Sequence, residues 1–197
     1  LFEGLKIMEM EKEWKQYPVI HLDLSTCKNQ GTAEGLKAKL IQLLDDWAEQ
    51  FGRKNIEVTP GGLLEGIIKR ANRQMGKQVV VIIDEYDAPL LDVLHDGSIL
   101  GDMRTVMQEF YQPLKACESM IKFCFITGIT KFSQLSIFST INNLTNVTMD
   151  TMFSSICGIT EQELVTTLSS DIERLASLTG LTYSEMHQSL KLQYDGY

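Results

Sequence analysis

The chain has 197 residues, 44% hydrophobic and 22% charged, with 18 basic against 26 acidic side chains and a net charge of −8. This composition supports one globular domain, or one domain with a small appendage, and excludes a disordered tail. The acidic balance repels nucleic acid and anionic membrane; no stretch approaches the roughly 18 uninterrupted apolar residues of a membrane span, and nothing at the start reads as a signal peptide.

Short apolar runs alternate with amphipathic stretches, the pattern of a parallel α/β sheet. Residues 17–25 alternate between Val19, His21, Asp23 and Ile20, Leu22, Leu24, which predicts a first strand. After a turn-rich stretch, Thr32 is an expected N-cap for a helix over 33–51, where Leu36, Leu40, Leu43, Leu44, Trp47 and Phe51 share one face. A second helix is expected over about 62–75, burying Leu63, Leu64, Ile67, Ile68 and Ala71, with Gly76 ending it.

Val79 to Ile83 are five consecutive β-branched residues. Such a run predicts a strand buried on both faces at the centre of a parallel sheet. It stops at Asp84-Glu85-Tyr86-Asp87, and Asp87 is expected to cap a short helix opening with Ala88-Pro89. A long helix is expected over 102–120, kinked or split by Pro113. The next strand is 123–126, ending in Thr127-Gly128-Ile129-Thr130-Lys131, and a weaker strand candidate follows near 146–148. The remainder is helical: Thr160 to Glu163 form a capping box, Thr182 to Glu185 suggest another, and Gly180 separates them. The expected division is a sheet domain over 1–157 and a small helical subdomain over 158–197.

In a parallel α/β sheet, ligands bind beyond the carboxyl ends of the strands. Asp84 and Glu85 arrive there together, on opposite faces of the strand. One carboxylate is suited to Mg²⁺ or its water and the other to activating an attacking water, the logic of the strand end called Walker B in ATPases. The competing reading is a strand end whose acids merely cap the next helix. Thr127 and Thr130 at the following strand end are candidates for sensing a γ-phosphate; the alternative is a glycine-containing turn. Asp23 and Ser25 read more readily as a cap than as site residues. Cys27, Cys117, Cys124 and Cys157 form no CxxC pair, so zinc and disulfides are unsupported and a reducing cytoplasm is the expected setting. A metal-dependent phosphoesterase using Asp23, Asp84 and Glu85 ranks last, since no lysine accompanies them in a nuclease-like motif.

No G-x-x-x-x-G-K-[S/T] and no G-x-G-x-x-G occur, so this chain lacks the Walker A backbone cradle that grips phosphates.

The segments 79–90, 125–133, 137–139 and 142–150, with Tyr17 to Asp23, resemble the bacterial AAA-ATPase-like family, and the likeness runs over the whole chain. The resemblance implies a three-layer parallel sheet of P-loop NTPase type lacking its first strand. It implies ATP and Mg²⁺ as ligands of the parent protein, with Asp84 serving Mg²⁺, Glu85 as the water-activating base and Thr127 or Thr130 as the sensor group. Members typically carry Walker A before the point where this chain starts, and often a PD-(D/E)xK nuclease-like domain after it. That domain would be the route to nucleic acid. The implied absence of the Walker A strand leaves an exposed sheet edge, so self-association is expected. A non-catalytic interaction module on the same fold is the alternative.

Overall fold

The structure, a computed structural model, describes residues 2–130, 137–138, 141–156 and 158–194. Among them three strands form one parallel sheet in the order β1-β2-β3: β1 Val19–Asp23, β2 Val79–Asp84 and β3 Ile121–Ile126. The register sets Asp23 beside Asp84 and Ile83 beside Ile126, so the three strands end nearly level. Nine α-helices accompany the sheet among the described residues: α1 Ile7–Met10, α2 Ala33–Leu43, α3 Asp45–Phe51, α4 Pro60–Met75, α5 Ala88–Leu91, α6 Gly97–Ala116, α7 Glu161–Val165, α8 Ser169–Thr179 and α9 Tyr183–Tyr194. None is long and apolar enough to cross a membrane. The chain divides into two compact units, Leu1–Leu144 and Thr145–Tyr197.

In the first unit, Ile20, Leu22, Val79, Val81 and Ile83 form one core with Leu36, Leu40, Leu63, Leu64, Ile67, Ile68, Met107 and Phe110 from α2, α4 and α6. Full burial of each such side chain is worth about 1.5–3 kcal/mol, so this face anchors the unit. The opposite face corrects the expectation of a strand covered on both sides. Val80 and Ile82 are only half-buried, while Val19 is 43% and Phe123 56% exposed. Five apolar residues in a row show that a strand is buried somewhere in a core; they do not show how many layers cover it. The three-layer arrangement is therefore met on one face among the described residues.

Several boundaries move for local reasons. The helix expected over 33–51 is two, because Leu44 donates its N–H to Ile41 O at 3.0 Å in a tighter turn. The second helix begins at Pro60, where proline suits the first turn, with the Thr59 hydroxyl accepting from Gly62 N. The long helix starts at Gly97, since the Asp96 carboxylate accepts from Ser98 N and Ile99 N at 3.1 and 3.2 Å.

Pro113 does not split this helix. It sits in the last turn, where one missing donor leaves only the Glu109 carbonyl without its ladder partner. Gly61 of α4 packs against that carbonyl; a Cβ there would lie 2.5 Å from Glu109 O. The strand candidate at 146–148 is no strand: Asn146 Oδ1 accepts from Thr148 N at 3.0 Å, closing a side-chain turn.

In the second unit both capping boxes form. Thr160 and Glu163 exchange their bonds, and so do Thr182 and Glu185, with Gly180 at φ 71° between them. There are three helices where the sequence suggests two, around a small core of Ile172, Ala176 and Met186.

Candidate functional site

The ends of β2 and β3 leave the sheet as one bonded rim. Thr127 N donates to Ile83 O and Tyr86 N to Thr127 O, each at 2.9 Å, extending the ladder past both strands. Gly128 permits the closeness, because any Cβ there would collide with the Tyr86 ring. The Tyr86 hydroxyl donates to Thr130 O at 2.6 Å, and the Tyr111 hydroxyl from α6 donates to Tyr86 O at 3.0 Å. Burial pushes the Tyr86 phenol up to about 12 and that of Tyr111 well above its usual range.

Asp87 corrects an expectation. Its side chain makes no capping bond to α5. Fully buried, it accepts from Ile129 N at 3.2 Å and Thr130 N at 2.5 Å. A carboxylate out of water needs donors, and two backbone amides of the β3 loop supply them where α5, four residues long, does not.

Asp84 stands exposed at the tip of β2. Its Oδ1 accepts from Glu85 N at 3.1 Å and from the Thr127 hydroxyl, and Oδ2 accepts from none of the described residues. Glu85 follows with φ 51°. Left-handed backbone costs a residue with a Cβ roughly 1–2 kcal/mol. Its carboxylate meets Lys28 Nζ at 2.7 Å, and Glu85 holds the Lys28 ammonium above its usual range. Lys28 follows a 3₁₀ turn, Leu24–Cys27, capped by Asp23, whose Oδ1 accepts from Ser25 N at 2.9 Å. The Ser25 hydroxyl and amide keep the Asp23 carboxyl below its ordinary value.

Of the sequence candidates, the structure brings Asp84 and Thr127 into contact, with Glu85 adjacent. Thr130 is held through its backbone, by Asp87 and Tyr86. Asp23 neighbours Asp84 in register yet is engaged in capping, and no group of three or more His, Cys, Asp or Glu side chains gathers to hold a metal among the described residues. Lys131 and Cys157 lie outside the described residues. Lys28, the amide-binding role of Asp87 and Tyr111 escaped sequence reasoning. Their partners are distant in the chain, and only the tight Asp84 to Asp87 grouping hinted at a second job for Asp87.

The model of the family described as predicted AAA-ATPase matches residues 1–138, which contain this whole rim. The chain belongs to that family. Its first unit is thus an ATPase-like domain. The chain is also 28% identical, over all 197 residues, to an "Uncharacterized protein in vnfD 5′region" of Azotobacter chroococcum mcd 1, and spans 36% of that protein's length. No solved structure matches.

Proposed function

We propose that this chain supplies the Walker B and sensor strands of an ATP-binding, ATP-hydrolysing domain, with Walker A absent from the chain. The observation that carries the reading is the Asp84–Thr127 bond, which ties the tips of two neighbouring parallel strands through Oδ1, while no described residue donates to Oδ2 of Asp84.

An exposed carboxylate oxygen and a hydroxyl are hard donors, a fit for Mg²⁺, which takes one or two carboxylates, keeps several waters and draws its remaining ligands from phosphates. Asp84 would hold the ion, and the bound Mg²⁺ would neutralise charge on the triphosphate. Thr127 fixes which way Asp84 turns by donating to Oδ1. Glu85 accepts a proton from the attacking water. Thr130, its backbone held by Asp87 and Tyr86, is the less direct candidate for the sensor group.

The test is Glu85→Gln in the full-length natural protein. ATP binding should persist while turnover falls about hundredfold or more, the usual scale for a lost general base. Unchanged turnover removes Glu85 from this role. The half-open apolar face with Val19 and Phe123 favours a second reading, an interaction module without catalysis; it predicts no ATP turnover in the wild-type protein.

A further inference from the structure

We infer that Lys28 is the positioning residue for Glu85, a role that rests on the proposed ATPase reading. The ion pair joins the loop after β1 to the tip of β2 at 2.7 Å, with side chains only 38% and 34% exposed. Both ends are built. Glu85 occupies left-handed backbone, which points its side chain away from the course a continuing strand would give it.

Lys28 is presented by a loop with three anchors. Asp23 caps the 3₁₀ turn that precedes it. Asn29, at φ 60°, donates its N–H to Asp92 Oδ2 at 3.1 Å. Gln30 Nε2 donates to the Lys28 carbonyl at 2.8 Å. An exposed, unanchored pair between long side chains contributes almost nothing. This one is partly shielded and anchored at both backbones, so the ammonium selects one orientation of the carboxylate. The neighbouring Asp84 carboxylate repels Glu85, so a cation paired with Glu85 is stabilising there.

Lys28 therefore acts through Glu85. Two measurements on the full-length protein test this. The first needs no nucleotide. Trace acetylation of lysines, read by mass spectrometry, should rise about two- to fivefold at Lys28 in Glu85→Gln, the range expected for loss of a partly exposed ion pair. Lys69, paired with Glu65 on α4, is the internal control and should not change. Unchanged labelling at Lys28 overturns the inference.

The second is a double-mutant cycle on ATP turnover. Lys28→Met should lower kcat about tenfold, as misplacement of a catalytic group does, while KM for ATP stays within about twofold. Lys28→Arg should restore most of the rate, and Lys28→Met should add nothing in the Glu85→Gln background. A dominant rise in KM, or an additive loss in the double variant, overturns the positioning role and assigns Lys28 to phosphate. If Glu85→Gln slows turnover and Lys28→Met does not, this inference falls and the proposed function stands. If Glu85→Gln leaves turnover intact, the proposed function falls, and the labelling decides the Lys28–Glu85 tie separately.

Discussion

The two faces of the β1-β2-β3 sheet come from the same three strands and do different work. On one, Ile20, Leu22, Val79, Val81 and Ile83 have no exposed surface, and helices close over them. On the other, Val19 and Phe123 stay substantially exposed, and the alternation along β2 that passes through Val80 and Ile82 ends at Asp84. The difference teaches that side-chain parity separates burial from exposure: residues one apart on β2 face either a sealed core or an open rim. The closed face holds the strands level. The rim of the open face inherits that order and places a carboxylate against Thr127.

The comparison breaks most directly by truncating each face in turn. Leu22→Ala should destabilise the chain by about 3 kcal/mol or more, since a cavity in a helix-covered core cannot collapse. Val80→Ala, on the half-open face, should cost about 1 kcal/mol or less. Equal shifts in denaturant midpoint would show that both faces are covered in solution.

Asp87 sharpens the comparison, because it is buried at the rim itself. Asp87→Ala leaves the amides of Ile129 and Thr130 without an acceptor, at a cost of about 2–3 kcal/mol. Asp87→Asn keeps one acceptor oxygen and should lose less. Calorimetric melting of both variants ranks them, and a harmless Asp87→Ala would detach the carboxylate from the loop.

Alkaline pH gives a smaller, graded effect. Tyrosines of the unfolded chain ionise near 10, whereas Tyr86 keeps its proton to about 12 and burial holds Tyr111 well above its usual range. Above pH 10 the unfolded state therefore holds fewer protons than the native one. Stability is unaffected below pH 10 and falls as pH rises toward 12, by about 1 kcal/mol per unit for each such tyrosine. Tyr111→Phe should flatten the slope over pH 10–12 in urea titrations. An unchanged slope would mean that Tyr111 is not sealed beneath the rim.

Much of the fold was legible because its signals are local. The alternation at Val19 to Asp23 and the cap at Thr32 are each written within a few residues, and so are the αL glycine at Gly76 and the two capping boxes. The pairing of Asp84 with Glu85 at a strand end was legible for the same reason. What escaped is long-range. Asp87 meets Thr130 across 43 positions, and its turn to the β3 loop instead of α5 depends on how two strands sit side by side. Lys28 has no marker of its own, since a lysine beyond a strand end usually points into water. The continuous run at Val79 to Ile83 told of burial but carried no information about the second face.

Position 85 has one more consequence. A chain optimised for folding alone would carry glycine there, the residue that enters φ near 51° without steric penalty. Glutamate in that conformation is a standing internal tension, tolerated because the backbone on either side is locked, with Thr127 bonded to both Ile83 and Tyr86. Placing glycine at 85 should leave a protein that melts no lower, yet is stripped of the carboxylate that Lys28 grips. Under the proposed function, robustness and chemistry are set against each other at a single peptide unit, and the native residue sides with chemistry.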